Sequence, residues 1–154
     1  MAIQRFDKLD FTYSDKRFVI DLPAPIVSIT GESGVGKSYL ADALRDKIAN
    51  KKLKDVVCLD YLNFDLMIET VMAGKDKLIV IDNADLVLCQ SDADDLSVWG
   101  ERFRADQGNQ YLLMTRNGSL LGAQMEDISF LTYKDGVFRN DFPWRKLREM
   151  GCIQ

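Results

Sequence analysis

A glycine-rich stretch between a hydrophobic run and a helical pattern contains the residues of this sequence that are best suited to chemistry. Residues 31–38 read Gly-Glu-Ser-Gly-Val-Gly-Lys-Ser, which matches the pattern G-x-x-x-x-G-K-S. Glycines reach backbone conformations closed to other residues, so successive N–H groups can turn inward around phosphate oxygens. The pattern predicts a phosphate-binding loop whose contacts come from Gly31, Glu32, Ser33, Gly34, Val35, Gly36, Lys37, Ser38 and Tyr39.

Two side chains at the end of this loop add a charge and a hydroxyl group. Lys37 can bridge the outer phosphates of a nucleoside triphosphate, and Ser38 can ligate the Mg²⁺ that those phosphates carry. The helix that follows adds its positive N-terminal end. The alternative is a glycine-rich turn that contains Lys-Ser by chance, and we do not favour it because a strand precedes the loop and a helix follows it.

A carboxylate ends another hydrophobic strand. Residues 77–83 read Lys-Leu-Ile-Val-Ile-Asp-Asn, so Asp82 stands at the carboxyl end of that strand. From this end of a parallel strand, a carboxylate can reach the crevice where nucleotides bind. We therefore expect Asp82 to hold Mg²⁺ together with Ser38. The alternative is an acid that caps the next element.

Polar residues also follow the strand predicted over residues 111–115. That strand ends at Thr115 and continues into Arg116 and Asn117, on the side of the sheet where a nucleotide is expected. We expect Thr115 to contact the nucleotide and Arg116 to sense its terminal phosphate. A loop that begins with an exposed arginine is an equally open alternative.

The bulk composition is that of an ordinary globular domain. The 154 residues are 47% hydrophobic and 29% charged, which predicts one domain over residues 1–154. A net charge of -4 gives no indication of a nucleic-acid partner. The absence of histidine excludes imidazole catalysis and any catalytic triad that contains histidine.

The cysteines and the hydropathy pattern bear on the compartment. Cys58, Cys89 and Cys152 are widely spaced and form no C-x-x-C pair, which argues against a disulfide framework or a zinc site. We find no signal-peptide pattern and no run long enough to span a membrane. The sequence therefore predicts a cytoplasmic protein without a membrane span.

An alternation of strands and helices must position these residues. Apolar spacing predicts helices over residues 37–50 and 64–72, a third that begins at Asp94 or Asp95, and a short one over 143–148. The terminal helix either docks a partner or packs on its own domain, and we prefer the second. Strands are predicted over 26–30, 56–60, 77–83, 111–115 and 128–133, with hairpins over 3–21 and around Asp135-Gly136.

This order of elements resembles the P-loop NTPase family over most of the chain. It is most similar to the additional-strand ATPases, which include the AAA+ and ABC proteins. The resemblance implies an α/β fold with three αβα layers and a mainly parallel central sheet, to which N-terminal and C-terminal β-hairpins are added. It also implies that the strand before Thr115 lies between the loop strand and the Asp82 strand, with a polar sensor at Thr115 or Asn117.

Asn83 departs from the pattern of that family. Most such ATPases carry a glutamate directly after the metal-holding aspartate, where it polarises the attacking water. A carboxamide cannot accept that proton. Asp85 or Glu32 can substitute if the geometry permits, so the resemblance implies nucleotide binding with slow hydrolysis.

The sequence thus predicts an ATP-binding protein that uses Mg²⁺, hydrolyses ATP and acts through its nucleotide state on an unidentified protein partner. Lys37, Asp82, Asn83, Asp85 and Arg116 form the expected catalytic set. One alternative is a small-molecule kinase of the same superfold, with Asp60 near the acceptor and Arg102 or Arg104 in a lid. A non-hydrolysing adaptor and a homo-oligomer also remain open.

Overall fold

The computed structural model describes residues 6–31, 36–89, 95–116 and 121–151. Over these ranges the chain is a mixed α/β fold. The strands are β1 (Lys8–Tyr13), β2 (Lys16–Asp21), β3 (Ile26–Thr30), β4 (Val56–Leu59), β5 (Leu78–Ile81), β6 (Gln110–Met114), β7 (Ile128–Lys134) and β8 (Val137–Asp141). The helices are α1 (Lys37–Ala49), α2 (Phe64–Ala73), α3 (Ala84–Leu88), α4 (Asp95–Ala105) and α5 (Pro143–Glu149), with a 3-10 turn at Met125–Asp127.

One sheet contains all of these strands, in the order β1-β2-β8-β7-β3-β6-β5-β4. The strand before the glycine-rich loop, β3, pairs in parallel with β6 on one side and with β7 on the other. Further parallel pairs join β6 to β5 and β5 to β4. β6 therefore lies between β3 and β5, which is the position expected for the strand that precedes Thr115.

The predicted fold class is wrong. We expected three αβα layers around a mainly parallel central sheet, with the two hairpins as additions to it. Instead, β1–β2 and β7–β8 are antiparallel parts of the sheet itself, and β2 pairs in parallel with β8. The result is a mixed sheet that curls into a half-barrel. Local patterns predict that a segment is a strand, but its pairing partner is decided by tertiary packing.

Aromatic packing explains why the outer strands follow this curl. Phe18 of β2 stacks on Phe138 of β8, with ring centroids 4.8 Å apart, and on Phe11 of β1 at 5.1 Å. Tyr39 of α1 lies 5.7 Å from both Phe18 and Phe138. Such ring pairs add stabilisation beyond the burial of their area, so the two hairpins and α1 share one core.

A buried asparagine holds the β2–β8 junction together. The Asn140 side chain accepts a hydrogen bond from the Asp21 N–H at 2.7 Å and donates to the Asp21 carbonyl at 3.0 Å. It also donates to the Ser129 hydroxyl at 3.2 Å, which in turn donates to the Ser28 carbonyl at 2.8 Å. This chain of hydrogen bonds runs from β2 through β8 and β7 to β3, so the hairpins are fixed to the strand that precedes the loop.

Side chains on successive strand residues point to opposite faces, and each face carries its own apolar core. Leu78 and Val80 of β5 belong to the core that contains α1, whereas Ile79 and Ile81 belong to the core with α2, α3 and α4. The strands are covered on both faces along this part of the sheet. The carboxyl ends of β3, β5 and β6 are therefore held in a fixed relation to one another.

Most of the predicted helices and strands are confirmed, and their ends differ from the predicted ends by no more than three residues. Two elements were missed, namely α3 and the 3-10 turn. In α2, Phe64 and Ile68 are buried, whereas Met67 is exposed. Within the described ranges, no helix combines the length and the apolar character needed to cross a membrane.

The terminal helix α5 lies against its own chain, which is the alternative that we preferred to the docking of a partner. None of its residues is buried. It is held by ion pairs of Arg145 with Asp127 and of Arg148 with Glu126, and by the ring of Trp144, 5.9 Å from that of Phe130. Its position therefore depends on ion pairs together with one aromatic contact, and not on a buried apolar face.

Candidate functional site

The glycine-rich loop joins the central strand β3 to α1. Gly31 and Gly36 at its two ends have φ values of 138° and 104°, in the region that favours glycine. The predicted contacts at Glu32, Ser33, Gly34 and Val35 fall outside the described residues. The two ends nevertheless have the strand before them and the helix after them that the motif requires.

Gly36 is needed for space as well as for its backbone angle. A Cβ atom at this position would lie 2.9 Å from Cε1 of Phe138 and 3.3 Å from Cδ2 of Leu131. The end of the loop is thus pressed against the core of β7 and β8. In the described part of the chain, no side chain caps the start of α1, and the start of a helix is a favourable place for an anion.

Lys37 is the centre of charge at this site. Its side chain is only 7% exposed and its ammonium group donates a hydrogen bond to the Gly31 carbonyl. Burial lowers the pKa of Lys37, and the positive charge of Arg116 lowers it further, while Asp85 and Asp82 act in the opposite direction. Residues that follow β3, β5 and β6 therefore interact around one ammonium group.

Ser38 and Tyr39 point in different directions from the start of α1. Ser38 is exposed, so its hydroxyl is accessible to a ligand. Tyr39 instead packs among the aromatic rings of the α1 core, and its hydroxyl donates to the Tyr13 carbonyl at 3.4 Å. Tyr39 was predicted to contact the phosphates. Its backbone N–H lies at the start of the helix, whereas its side chain belongs to this aromatic core.

Asp82 follows β5 and is bound by an arginine that sequence reasoning missed. Nη2 of Arg45 lies 3.0 Å from Oδ2 of Asp82 and 3.1 Å from Oδ2 of Asp60. Both carboxylates are partly buried, with side-chain exposures of 13% and 18%. One signal in the sequence was available: Arg45 stands seven residues after Ser38, and residues two turns apart share a helix face.

Asp85 is buried at the start of α3 and both of its carboxylate oxygens accept hydrogen bonds. Oδ2 accepts the backbone N–H of Arg116 at 3.0 Å, and Oδ1 accepts the N–H of Leu86 at 3.1 Å. The side chain therefore ties α3 to the end of β6. Asp85 is close enough to Lys37 to oppose the lowering of its pKa.

Asn83 begins α3 through its backbone. Its φ of 51° and ψ of 48° lie in the left-handed region, which asparagine tolerates better than most residues. Its carbonyl accepts the N–H groups of Leu86 at 3.0 Å and Val87 at 2.9 Å. The residue thus turns the chain directly after Asp82. Its side chain is a carboxamide, which cannot accept a proton from water.

Thr115 lies at the end of β6 beside the central strand. Its N–H donates to the Ile29 carbonyl at 2.9 Å and its side chain is fully buried. Oγ1 of Thr115 has no hydrogen-bond partner among the described residues, which is uncommon for a buried hydroxyl. Arg116 is exposed beyond it, and Asn117 falls outside the described residues.

The oxygen groups here fit Mg²⁺ only as part of a nucleotide complex. In the ranges that the structure describes, no group of three or more His, Cys, Asp or Glu side chains could hold a metal ion. Mg²⁺ usually keeps several waters and takes one or two protein oxygens together with substrate phosphates. The Ser38 hydroxyl and the Asp82 carboxylate are oxygens of that kind.

The residues expected in a kinase lid lie elsewhere. Arg102 forms a bidentate ion pair with Glu69, with Nη1–Oε1 and Nη2–Oε2 distances of 2.8 and 2.9 Å. Its guanidinium also lies 4.3 Å from the ring centre of Trp99. Arg104 lines a pocket of about 240 Å³ with Pro25 and Ile26, at the amino end of β3. Arg104 thus lies at the end of β3 opposite to Gly31, where the glycine-rich loop begins.

Comparison with known proteins gives no family assignment. No protein-family model matches this chain, and no curated protein matches its sequence. The functional proposal therefore depends on the residues and on the geometry described above.

Proposed function

We propose that this protein binds ATP together with Mg²⁺ and acts through its nucleotide state on a macromolecular partner. The observation that carries the proposal is the position of Lys37. This buried lysine directly follows a glycine-rich loop and interacts with Asp82, Asp85 and Arg116, which come from two other strand ends. An arrangement of this kind suits a polyphosphate that carries a cation.

The chain's own groups have separate roles in this proposal. Backbone N–H groups of the loop and of the start of α1 bind phosphate oxygens. The ammonium group of Lys37 leaves the Gly31 carbonyl, on which it is held, and pairs with the outer phosphates. Because the lysine is largely shielded from water, this charge pair is stronger than it would be on the surface.

Ser38 and Asp82 are the residues that would hold Mg²⁺. The ion would reduce the negative charge of the bound phosphates. Ser38 has an exposed hydroxyl, and Asp82 lies close enough to Lys37 to affect its pKa. The same arrangement around Lys37 therefore supports both the proposed Mg²⁺ ligands and the proposed phosphate contacts.

One observation favours a second candidate, a nucleotide-dependent adaptor that hydrolyses ATP slowly. Asn83 offers no carboxylate, and both oxygens of Asp85 already accept backbone N–H groups. A general base must accept a proton from water, and these two hydrogen bonds use part of the accepting capacity of the Asp85 carboxylate. We do not favour a kinase, because Arg102 is engaged by Glu69 and Trp99.

Affinity measurements test the binding proposal. ATP, GTP and ADP are titrated with and without Mg²⁺ into the wild-type protein and into Lys37→Ala. Hydrogen bonds to charged groups contribute about 1.5–3 kcal/mol, so we expect Lys37→Ala to weaken ATP binding at least about tenfold. Lys77→Ala is the matched control, because Lys77 forms its ion pair with Asp55 away from the loop.

Two results would end the proposal. One is a wild-type protein that binds none of the three nucleotides, and the other is a Lys37→Ala variant that binds ATP as well as wild type. Hydrolysis is measured separately, as single-turnover conversion of ATP to ADP by excess protein. A wild-type rate equal to that of Lys37→Ala identifies the adaptor, whereas a clearly faster rate identifies an ATPase.

A further inference from the structure

We infer that Arg45 is a positioning residue that fixes the carboxylate of Asp82 for the metal-bearing nucleotide, and that Asp60 is its anchor. The inference depends on the function proposed above and adds to it how the metal-holding acid is kept in place. It assigns a role to two residues that the phosphate-loop motif does not include.

The distances place three charged groups in one cluster. A single nitrogen, Nη2 of Arg45, contacts Oδ2 of Asp82 at 3.0 Å and Oδ2 of Asp60 at 3.1 Å. The two oxygens therefore lie no more than about 6 Å apart. Like charges at such a separation repel each other strongly when they are partly buried. The guanidinium compensates this repulsion and holds the two carboxylates side by side.

Asp60 is itself held rigidly, so it can act as the anchor. Its other oxygen, Oδ1, accepts the N–H groups of Leu62 at 2.9 Å and Asn63 at 3.3 Å. The Asp60 N–H in turn donates to the Asn63 side chain at 2.8 Å. The turn after β4 thus fixes Asp60, Asp60 fixes the guanidinium of Arg45, and Arg45 fixes Asp82.

Asp82 has fewer contacts of its own. In the part of the chain that the structure describes, Arg45 is the only recorded hydrogen-bond donor to this side chain, and it contacts Oδ2. Oδ1 is therefore the oxygen that would be open to a metal ion. Groups that orient a metal ligand in this way typically change metal affinity by 10- to 100-fold when they are removed.

The placement of Arg45 on α1 connects this cluster to the phosphate loop. Ser38 and Arg45 are seven residues apart on one continuous helix, which places them on the same face about 10 Å apart along its axis. The helix that begins at the phosphates therefore also carries the group that orients Asp82. Without Arg45, we expect Asp82 to turn away from Asp60 and lose its orientation.

The test compares how much Mg²⁺ improves nucleotide affinity. A fluorescent ATP analogue is titrated in Mg²⁺ and in EDTA, and the ratio of the two dissociation constants is the Mg²⁺ gain. We expect Arg45→Met to lower this gain about tenfold or more, with the affinity in EDTA unchanged. Arg45→Met combined with Asp60→Asn should recover part of the gain, because the repulsion on Asp82 is removed.

Arg102→Met is the matched control. Arg102 also forms an ion pair, with Glu69, and its side chain is 36% exposed, as is that of Arg45. We expect it to keep the wild-type gain. If Arg45→Met does not fold, as judged by circular dichroism, Arg45→Lys replaces it, and we expect a gain about threefold lower since lysine lacks the planar guanidinium.

The outcomes separate this inference from the proposed function. An Arg45→Met protein with the wild-type gain, or with a larger one, overturns the positioning role while nucleotide binding stands. A wild-type protein that fails to bind the analogue even in EDTA overturns the proposed function itself. Equal losses in Mg²⁺ and in EDTA would show a structural role for Arg45 and would also overturn the inference.

Discussion

The carboxylate of Asp85 accepts a hydrogen bond from the backbone N–H of Arg116 at 3.0 Å, across 31 residues of sequence. This contact joins the helix that follows Asp82 to the end of the strand that carries Thr115. Because both elements lie beside Lys37, the contact helps to set the shape of the proposed nucleotide site. It also gives Asp85 a structural role, since its carboxylate joins these two elements.

Substitutions of Asp85 should therefore affect stability more than catalysis. Asp85→Ala leaves the Arg116 N–H without an acceptor, and we expect a loss of about 1–3 kcal/mol in the free energy of unfolding, measured in urea. Asp85→Asn keeps one acceptor oxygen, which can still accept the Arg116 N–H, so it should lose less than Asp85→Ala. Single-turnover hydrolysis by Asp85→Asn should stay within a few fold of wild type. An abolished rate in a stable Asp85→Asn protein would contradict the structural role and identify a base.

Gly36→Ala should destabilise the protein by a contact as well as by its backbone angle. A Cβ would lie 2.9 Å from the Phe138 ring, so we expect a loss of about 2–4 kcal/mol in thermal or urea unfolding. Gly136→Ala is the control, because Gly136 also has a positive φ, of 80°, but a Cβ there meets nothing within 4 Å. We expect it to lose about 1 kcal/mol. Equal losses for the two variants would contradict a steric role for Phe138.

Thr115→Val separates a role in folding from a role in nucleotide binding. Since Oγ1 of Thr115 is buried without a partner among the described residues, its removal should leave stability within about 1 kcal/mol of wild type, or raise it. If this hydroxyl contacts a phosphate, ATP affinity should fall about tenfold. Ser28→Ala is the control, because the Ser28 hydroxyl is likewise buried and unpartnered among those residues. A Thr115→Val protein with wild-type affinity would exclude the contact.

Cys58 should resist alkylation in the folded protein. Burial raises the pKa of the Cys58 thiol to about 12, although the nearby Arg45 lowers it in part. Since only the thiolate reacts, a higher pKa means less reactive thiolate at any pH below that value. At pH 8 we expect iodoacetamide to modify Cys58 about a thousandfold more slowly in the folded chain than in urea, as measured by peptide mass spectrometry. The exposed Cys89 serves as an internal reference, and comparable rates for the two thiols would contradict the expected protection.

Local patterns were sufficient to predict the centre of the candidate site. The glycines, Lys37 and Ser38 occupy neighbouring positions in the sequence, and a hydrophobic run ahead of them with a helical period behind them predicts the elements on either side. Asp82 was predicted in the same way from the strand that it ends. These predictions depend on spacing within about ten residues, a range over which backbone geometry allows only a few local structures.

Contacts between distant segments could not be predicted in this way. The Arg45 guanidinium meets Asp60 and Asp82 across 15 and 37 residues, and periodicity indicates which face of α1 is polar but not which acid lies opposite. The same limit explains the error in the fold class. The strand pattern identified the hairpins, but the parallel pairing of β2 with β8 depends on the packing of Phe18 against Phe138.

By itself, the sequence determined the glycine-rich stretch, the lysine and hydroxyl that follow it, and the acid at the end of β5, because each depends on short-range spacing. Only the tertiary structure decided which strands became neighbours, how the sheet curled, and which groups hold Asp82 and Asp85. The physical reason is that strand pairing and buried charge contacts are set by the free energy of the whole packed core, to which residues far apart in the chain contribute together.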